Sequence, residues 1–429
     1  ERFLPDAFIF CIILTIIAFV FSWISTGQTP LELAQHWGTG VWSLLSFSMQ
    51  MALVLVLGNA FASSRPIKKA LTSIAGLANT PTGAIMLVSV VSAVACWINW
   101  GFGLIVGALL AKNLAKRVKN VDYPLLIASA YSGFLVWHGG ISGSIPLSLN
   151  TSNIEELHKL TGNAIDVAIP TSQTLFSMPN LILSVVLIAM LPIINRLMHP
   201  DADQTISINP VLLEDEVEPV FENVTPANKL ENSRILSLIV VVIGAIFLCL
   251  HFINNGFDLN LNIVNTIFLI LGILFHGTPV RYVYAIDEAV RGAGGILLQF
   301  PFYAGIMGLM TGANADGVSL ASIVTDFFVN ISTVNTFPMF SFWAAGIVNF
   351  FVPSGGGQMA VQGPIMLPAS VKLGVDPAIT AIAIAWGDAW TNMIQPFWAL
   401  PALGIAGLKA KDIMGYCLMV LIASGIIIS

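Results

Sequence analysis

The chain has 429 residues, of which 56% are hydrophobic and only 9% carry a charge. Several apolar runs reach the roughly 20 residues that a helix needs to cross a bilayer, so this composition excludes an ordinary soluble domain. The net charge of −6 says little about partners, because much of the acidity falls in one loop, residues 199–231, that we interpret as a solvated linker. We therefore predict an all-α polytopic protein whose surroundings are the lipid bilayer.

Taken in chain order, the apolar runs predict nine crossings separated by polar segments. They cover residues 8–24, 41–62, 123–147, 174–197, 235–253, 263–275, 294–310, 378–405 and 413–428. Two more apolar segments, 83–112 and 337–370, contain a glycine-rich break at their middles, at 97–103 and 353–357. In hydrocarbon a helix is broken only where the freed backbone groups face protein, water or a ligand. We interpret both segments as re-entrant helical hairpins.

The basic residues test this topology, since cytoplasmic loops carry an excess of Lys and Arg. With the N-terminus in the cytoplasm, all of the 17 Lys and Arg residues except Lys159 and Lys372 fall on the cytoplasmic side. Removing one span, or turning one hairpin into a span, would move every later loop to the opposite side of the membrane. The pattern therefore predicts a multi-pass protein with a cytoplasmic N-terminus and its C-terminus on the opposite side.

Two parts of the chain repeat one order of elements: span, span, short amphipathic piece, broken hairpin, broken span and span. We predict a first repeat at 1–198, an acidic cytoplasmic loop with a connecting helix at 199–254, and a second repeat at 255–429. The single connecting helix places the second repeat upside down relative to the first. Inverted repeats with discontinuous helices are typical of secondary transporters, whose binding sites lie at the breaks.

The breaks of the two hairpins supply the first candidate site residues. Glycine lets the backbone turn sharply and brings N–H groups close to a ligand, and helix N-termini favour an anion. Because the predicted spans contain no Lys or Arg apart from Arg196, next to the end of its span, these groups suit a small monocarboxylate. Close helix packing through glycine is the alternative explanation. The candidates are Asn99, Trp100, Gly101 and Gly103 in the first hairpin and Ser354, Gly355, Gly356 and Gly357 in the second.

The broken spans, 123–147 and 378–405, supply the facing wall of the predicted pocket. Asp388 is the acid that we place deep within a span, where a carboxylate is costly unless it is paired, protonated or ion-bound. We predict that Asp388 couples transport to a proton, with His138 as a weaker candidate. The alternatives are a structural hydrogen bond and a sodium ion bound by Asp388. The other candidates on this wall are Gly139, Gly140, Ser142, Ser144, Thr391, Asn392 and Gln395.

Tryptophans also gather around the breaks, where they either wall a pocket for a short alkyl chain or mark the membrane interface. They are Trp97, Trp100, Trp137, Trp386, Trp390 and Trp398. The four cysteines lie in apolar runs without paired spacing, so neither a disulfide framework nor a metal site is indicated. Phosphate-loop, HExxH and dinucleotide motifs do not occur. We expect no cofactor, no metal ion and no nucleic-acid partner.

Five stretches carry a family resemblance that covers nearly the whole chain. The sequence resembles the bacterial short-chain fatty acid transporters, the acetoacetate and butyrate permeases of the AtoE type, within the ion transporter superfamily of inverted repeats. The stretches are CWINWGFGLIVGALLAK (96–112), DYPLLIASAYSGF (122–134), QFPFYAGIMGLM (299–310), FVPSGGGQMAVQGP (351–364) and NMIQPFWALPALGIAGLKAKDIMGYC (392–417).

This resemblance implies an inner-membrane carrier with a periplasmic C-terminus, working as a homodimer by an elevator movement. It also implies that the two hairpin tips meet at the substrate and that the breaks at 138–144 and 388–395 complete the site. The tips lack the Ser-Asn-Thr clamps of the superfamily's sodium–dicarboxylate carriers, which argues against sodium coupling.

The leading hypothesis is secondary active transport of short-chain monocarboxylates with a proton. The alternative is a cation/proton antiporter on the same scaffold, with Asp388 and Asn392 as cation ligands. An intramembrane enzyme is disfavoured, because Ser354 lacks an adjacent base unless His138 meets it from the other repeat.

Overall fold

The structure is a computed structural model that describes residues 7–43, 45–150, 154–201, 203–208, 225–256, 261–352 and 355–429. All regular secondary structure in these ranges is helical. Five helical segments are long and apolar enough to cross a membrane, judged by length and composition: Pro81–Ile98, Tyr123–Ser148, Met178–Leu197, Pro226–Asn255 and Ala410–Ile428. The prediction of an all-α polytopic membrane protein is thereby confirmed.

The described residues of the first part of the chain form ten helices, and a 3-10 segment, Gly133–Gly139, separates the seventh from the eighth. They are α1 (Ala7–Thr26), α2 (Pro30–Val41), α3 (Leu45–Ser63), α4 (Arg65–Ala75), α5 (Pro81–Ile98), α6 (Trp100–Arg117), α7 (Tyr123–Ser132), α8 (Ser144–Ser148), α9 (Ile154–Thr161) and α10 (Met178–Leu197).

A short helix and a long one, α11 (Pro226–Glu231) and α12 (Arg234–Asn255), connect this part to the second. The second part has 3-10 segments at Arg291–Ala293 and Asn392–Ile394. Its helices are α13 (Leu261–His276), α14 (Pro279–Val290), α15 (Gly294–Thr311), α16 (Leu320–Asn330), α17 (Phe337–Phe351), α18 (Gly355–Leu373), α19 (Pro377–Thr391), α20 (Pro396–Ala406) and α21 (Ala410–Ile428).

Local sequence explains where several of these helices begin. The Thr80 hydroxyl accepts a hydrogen bond from the Gly83 N–H at 3.1 Å, and the Asp122 carboxylate accepts one from the Leu125 N–H at 2.8 Å. Asp376 caps α19 in the same manner. A proline stands in the first turn of each of these helices, where its missing N–H costs nothing. The starts of α5, α7 and α19 are therefore encoded within a few residues.

The first predicted hairpin is a pair of antiparallel helices, α5 and α6. The chain leaves helical geometry at Asn99, whose φ of −152° and ψ of 121° are extended, and its side chain then caps α6 by accepting from the Phe102 N–H at 2.9 Å. A side-chain carbon on Gly103 would lie 2.6 Å from the Cys96 Cα, which shows how closely the arms approach. The break at 97–103 is thus a chain reversal.

The second predicted hairpin consists of α17 and α18. The Gln358 side chain of α18 donates to the Ala345 carbonyl of α17 at 2.8 Å, and the Ser341 hydroxyl lies 3.8 Å from the Met366 sulfur. These contacts run antiparallel, as in the first hairpin. Residues 353 and 354 lie outside the described ranges, so the predicted site residue Ser354 does too. Whether both hairpins enter and leave on one membrane face stays a prediction.

The two parts of the chain pack against each other reciprocally. Helix α1 packs on α15 and α3 packs on α13, so the first helix of each part meets the third helix of the other. The intervening helices follow the same rule, since α2 packs on α15 and α14 packs on α3. A pseudo-two-fold axis relating inverted repeats would produce this pairing, and the repeats themselves stay a prediction. The sequence analysis did not assign α2, α9 or α14.

Candidate functional site

The polar centre of the molecule is a contact between the two broken spans. The His138 Nε2 lies 3.1 Å from the Asp388 Oδ1, and both side chains are 0% exposed. His138 lies near the end of the 3-10 segment Gly133–Gly139 that follows α7, and Asp388 stands in the last turn of α19. The two predicted coupling residues, 250 positions apart, therefore form one buried pair.

Two side-chain amides contact Asp388, one at its carboxylate and one at its backbone carbonyl. The Asn392 Nδ2 donates to the Asp388 Oδ1 at 3.1 Å, so that oxygen contacts both the histidine and the amide. The Asn349 Nδ2, at the end of α17, lies 2.8 Å from the Asp388 carbonyl, 3.0 Å from the Thr391 Oγ1 and 2.7 Å from the Asn392 Oδ1. Asn349 therefore joins the second hairpin to the second break.

Side chains of the second break form hydrogen bonds to the second hairpin. The Gln395 Nε2 donates to the Asn349 carbonyl at 2.9 Å and to the Phe350 carbonyl at 3.1 Å, which satisfies carbonyls at the C-terminal end of α17. The Thr391 hydroxyl donates to the Gly346 carbonyl at 2.8 Å. Predicted residues Thr391, Asn392 and Gln395 thus brace the second hairpin against the break.

The first break forms hydrogen bonds to the tip of the first hairpin. The Ile141 N–H donates to the Trp97 carbonyl at 2.8 Å, and the Trp100 N–H donates to the Ser142 hydroxyl at 3.1 Å. Trp100 is the first residue of α6, so Ser142 occupies one of the hydrogen-bonding positions at that helix N-terminus. The predicted hydroxyl of Ser142 is therefore engaged with the hairpin.

The tip of the second hairpin meets the same break from the other side. A side-chain carbon on Gly355 would lie 2.6 Å from the His138 Cε1 and would also collide with the Ser144 hydroxyl. Gly355 begins α18, whose N-terminal N–H groups favour a negative charge. Both hairpin tips thus contact residues 138–144, as the predicted site requires.

Several of the predicted glycines lie in close helix contacts. A side-chain carbon on Gly139 would lie 2.5 Å from the Trp386 Cζ2, and one on Gly140 would collide with the Trp97 carbonyl. Gly103 packs against the facing arm, and Gly101 is buried in the first turn of α6. Close packing is thus observed at Gly103, Gly139 and Gly140, and contact of any of these glycines with a substrate stays a prediction. Gly356 differs, since it is exposed and a side-chain carbon there would meet open space, with half-buried Gly357 next to it.

Polar atoms at the pair have spare hydrogen-bonding capacity. Among the described residues, no partner is found for the His138 Nδ1, the Asp388 Oδ2 or the Ser144 hydroxyl, all of them buried. The same holds for the amide oxygens of Asn349 and Gln395. Buried polar atoms are normally paired, so this cluster is suited to accept a ligand, an ion or water.

Three of the tryptophans form one aromatic cluster beside the pair. The ring centroids of Trp100 and Trp398 are 5.2 Å apart, those of Trp137 and Trp398 are 5.8 Å apart, and Phe134 stacks on Trp137 at 5.3 Å. Trp100, Trp137 and Trp398 are at most 7% exposed. These three rings therefore lie inside the protein and do not mark the membrane interface.

The remaining tryptophans have separate contacts. Trp386 is buried and donates to the Asn180 Oδ1 at 3.0 Å, while the Asn180 Nδ2 donates to the Gly139 carbonyl at 2.9 Å. Trp390 is half-buried and donates to the Leu421 carbonyl at 2.7 Å. Trp97 is also half-buried. Trp386 and Asn180 together hold the first break against α19.

Sequence analysis missed Asn349, Asn180 and Tyr131, whose hydroxyl donates to the Asn392 carbonyl. Each is a hydrogen-bonding side chain within an apolar segment; Asn349 and Tyr131 precede a predicted break, whereas Asn180 lies in the predicted span 174–197. Their polarity in that setting was the available signal, because a lone amide or phenol in a span needs a partner.

Gly140 provides a direct test of the packing at the first break. We expect Gly140→Ala to lower the free energy of unfolding by about 1–3 kcal/mol, because the new methyl group would collide with the backbone carbonyl of Trp97 and backbone cannot move aside cheaply. The measurement is the thermal unfolding midpoint of the purified protein. Gly415→Ala is the matched control, since nothing lies within 4 Å of its side-chain position. Equal midpoints for the two variants would contradict the observed packing.

An all-helical membrane protein whose broken helices enclose a buried polar centre has the construction of a transporter. The chain belongs to the short chain fatty acid transporter family, because the sequence model of that family matches residues 1–429. The resemblance noted from the motifs is thereby confirmed.

Two curated relatives span almost the whole chain, and both carry the name "Putative short-chain fatty acid transporter". The one from Escherichia coli K12 is 46% identical over 430 residues, covering 100% of this chain and 95% of the relative. The one from Haemophilus influenzae Rd is 45% identical over 428 residues, covering 98% and 94%. Among solved structures, the Alcanivorax borkumensis YdaH transporter aligns over 99% of this chain and 98% of its own, with 16% identity and a TM-score of 0.42.

Proposed function

We propose that the protein is a secondary active transporter that moves short-chain monocarboxylates, such as butyrate or acetoacetate, across the bacterial inner membrane together with a proton. The observation that carries this proposal is the fully buried His138–Asp388 pair, 3.1 Å apart, between the two hairpin tips. Burying an ionisable pair is expensive, so a membrane protein that keeps one where its halves meet has a use for its charge. The family supports a transporter in place of an enzyme.

The pair provides a proton site that is sensitive to a substrate anion. A carboxylate placed beside His138 and Asp388 adds a negative charge to a buried site, and a proton carried with it would neutralise that charge. The one Lys or Arg inside a predicted span is Arg196, which is exposed near the end of its span, so the proton and the α18 N-terminus are the positive groups available to balance that charge. A singly charged acid would therefore travel with one proton.

The aromatic cluster suits the other end of such a substrate. Trp100, Trp137 and Trp398 offer an apolar wall beside the polar pair, and the Trp137 ring centroid lies 3.5 Å from that of His138. A short alkyl chain on this wall would leave its carboxylate near the pair. In this proposal the substrate-contacting groups are His138, Asp388, Ser144, Gly356 and Gly357, while the packed glycines fix the shape of the site.

The movement that exposes the site also follows from the proposed architecture. We assign the two hairpins and broken spans to a unit that carries the substrate, and the reciprocally packed α1, α3, α13 and α15 to a scaffold. A homodimer would anchor that scaffold while the other unit moves as an elevator. The distribution of Lys and Arg supports a cytoplasmic N-terminus and a periplasmic C-terminus.

A cation/proton antiporter is the second candidate, and one observation favours it. The amide oxygens of Asn349 and Gln395 lie in the same polar centre as Asp388 and have no partner among the described residues. Carboxylate and amide oxygens are also what a sodium ion needs. The test of function must therefore vary sodium independently of pH.

Uptake of labelled butyrate into proteoliposomes tests the proposal. We expect an inwardly directed proton gradient to raise the initial rate of butyrate uptake well above that of protein-free vesicles, which report passive permeation of the neutral acid. A sodium gradient at equal pH is expected to add nothing. Absence of protein-dependent butyrate flux under either gradient, combined with sodium-dependent proton flux, would favour the antiporter instead.

A further inference from the structure

Three fully buried side-chain amides meet around the last two turns of α17. The Gln358 Nε2 donates to the Ala345 carbonyl at 2.8 Å, and the Gln395 Nε2 donates to the Asn349 carbonyl at 2.9 Å. The Asn349 Nδ2 in turn donates to the Asp388 carbonyl at 2.8 Å. Each of the three amides is 0% exposed, so its polar atoms have no access to bulk solvent.

These contacts determine the orientation of each amide. A backbone carbonyl only accepts hydrogen bonds, so the amide atom that faces it must be the nitrogen, and turning the amide over would place two oxygens in contact. The side-chain oxygens of Asn349, Gln358 and Gln395 are therefore fixed as acceptors. None of these oxygens has a partner among the described residues. Buried polar atoms are normally paired, so the three oxygens require a hydrogen-bond donor.

A chain of hydrogen bonds constrains Gln358 further. Its Nε2 also donates to the Gln362 Oε1 at 3.0 Å, and the Gln362 Nε2 donates to the Thr325 hydroxyl at 3.1 Å. That hydroxyl donates to the Ala321 carbonyl at 2.8 Å. Because the chain ends on a backbone carbonyl, the direction of every bond in it is fixed. The Gln358 oxygen is the acceptor that the chain leaves over.

The same amides belong to the candidate site at the two breaks. Gly355 lies three positions before Gln358 and therefore on the same face of α18, and a side-chain carbon on Gly355 would lie 2.6 Å from the His138 Cε1. The Asn349 amide also lies 2.7 Å from the Asn392 Oδ1. The acceptor oxygens are thus carried by the elements that bring His138 and Asp388 together.

Unpaired donors characterise the opposite side of the site. The Ser144 hydroxyl and the Trp137 indole N–H are buried and have no partner among the described residues. The N-terminus of α18, which begins at Gly355 next to Ser144, adds a partial positive charge. Donors at the first break suit a carboxylate, whereas the acceptors at the second break suit a group that donates.

We infer that the preferred substrates are short monocarboxylates that also carry a hydroxyl group, which donates to the amide oxygens of Asn349, Gln358 and Gln395. This inference rests on the proposed transport of monocarboxylates and names the substrate class within it. A hydroxyl is neutral, whereas an ammonium group would bring a positive charge to a site whose acid is already paired with His138. A ketone offers only an acceptor, which would face three other acceptors.

Calorimetric titration of single acids into the purified full chain, at one pH, tests this inference. The probes are butyrate, acetoacetate and the 2-, 3- and 4-hydroxybutyrates. We expect at least one hydroxybutyrate to bind about tenfold more tightly than butyrate, because butyrate leaves the buried oxygens unpaired. Acetoacetate is expected to bind no more tightly than butyrate.

Two variants assign the preference to the amides. Gln358→Met and Gln395→Met each replace an amide by an apolar side chain of similar length, and we expect at least one of them to lower the ratio of hydroxybutyrate affinity to butyrate affinity about fivefold. A ratio measured within one variant does not depend on the fraction of folded protein. Gln204→Met, at an exposed position, is the matched control and should keep the native ratio.

The possible failures are distinguishable. If the native protein bound none of the five acids, the proposed function would fail and this inference with it. Butyrate binding without any preference for a hydroxybutyrate would overturn this inference alone, and so would an unchanged ratio in both glutamine variants. If sodium ions tightened butyrate binding and the hydroxyl group did not, the amide oxygens would belong to a cation site instead.

Discussion

Asp388→Asn is expected to abolish accumulation of butyrate driven by a pH gradient, lowering the protein-dependent component at least a hundredfold. Asparagine has nearly the shape of a protonated carboxyl and still offers an oxygen to the Asn392 amide, which lies 3.1 Å from the carboxylate in the native protein. It cannot gain or lose a proton. Exchange of internal unlabelled butyrate for external labelled butyrate should therefore persist within about an order of magnitude, because exchange needs no net proton movement.

The accumulation and exchange assays together distinguish a loss of proton coupling from a loss of folding. Loss of both accumulation and exchange would indicate a collapsed site, whereas intact accumulation would remove Asp388 from the coupling step. Asp316→Asn is the matched control, since Asp316 is an exposed acid on the loop after α15. His138→Gln is expected to reduce accumulation as well, because it removes the protonatable partner of the buried pair.

Asn349→Ala is the second substitution with a large expected effect. The Asn349 amide lies within 3.0 Å of the Asp388 carbonyl, the Thr391 Oγ1 and the Asn392 Oδ1. Removing it leaves buried acceptors unpaired and a cavity beside the second hairpin, which together should lower the free energy of unfolding by about 3 kcal/mol. We also expect exchange of labelled butyrate to fall at least tenfold, because the hairpin and the break lose their link.

The measurements for this variant are the thermal unfolding midpoint and the exchange rate. Asn255→Ala removes an exposed amide whose hydrogen bonds, among the described residues, stay within its own helix, to the His251 side chain and, at 3.1 Å, to the His251 carbonyl, and it should leave both quantities unchanged. If Asn349→Ala behaved like Asn255→Ala, the proposed link between hairpin and break would be wrong.

The positions of the breaks could be predicted because glycine and proline mark them locally. The chain reversal at Asn99, the unwound stretch after His138 and the bend before Pro396 all fall where the sequence placed them. Long apolar runs likewise gave most of the spans to within a few residues, although α10 begins at Met178 and not at residue 174. Such features depend on backbone chemistry within a short window of sequence.

The contacts within the site could not be predicted in the same way. Nothing local in the sequence shows that His138 and Asp388 touch, because that contact joins segments 250 residues apart. Nor does glycine alone reveal its role: Gly139 and Gly140 pack against tryptophan residues, while Gly356 faces open space. Only the tertiary arrangement separates glycines needed for packing from those that can approach a ligand.

Helices α2 and α14 were missed for a different reason. Both are 12 residues long and contain polar side chains, so neither resembles a span or a clear loop. Their place in the fold comes from packing, for example the contact that would bring a side-chain carbon on Gly305 of α15 within 2.6 Å of the Trp37 indole nitrogen. A small residue opposite a large one is visible only once the helices are paired.

Calorimetric titration of butyrate into the purified protein, in two buffers of different ionisation enthalpy, tests the central claim most directly. The difference between the two apparent binding enthalpies gives the number of protons taken up with the ligand. Passive permeation of butyric acid does not affect this measurement, because the purified protein is not in vesicles. The account predicts about one proton per butyrate for the native protein and none for Asp388→Asn. Butyrate binding without proton uptake, or with the same uptake in Asp388→Asn, would contradict it.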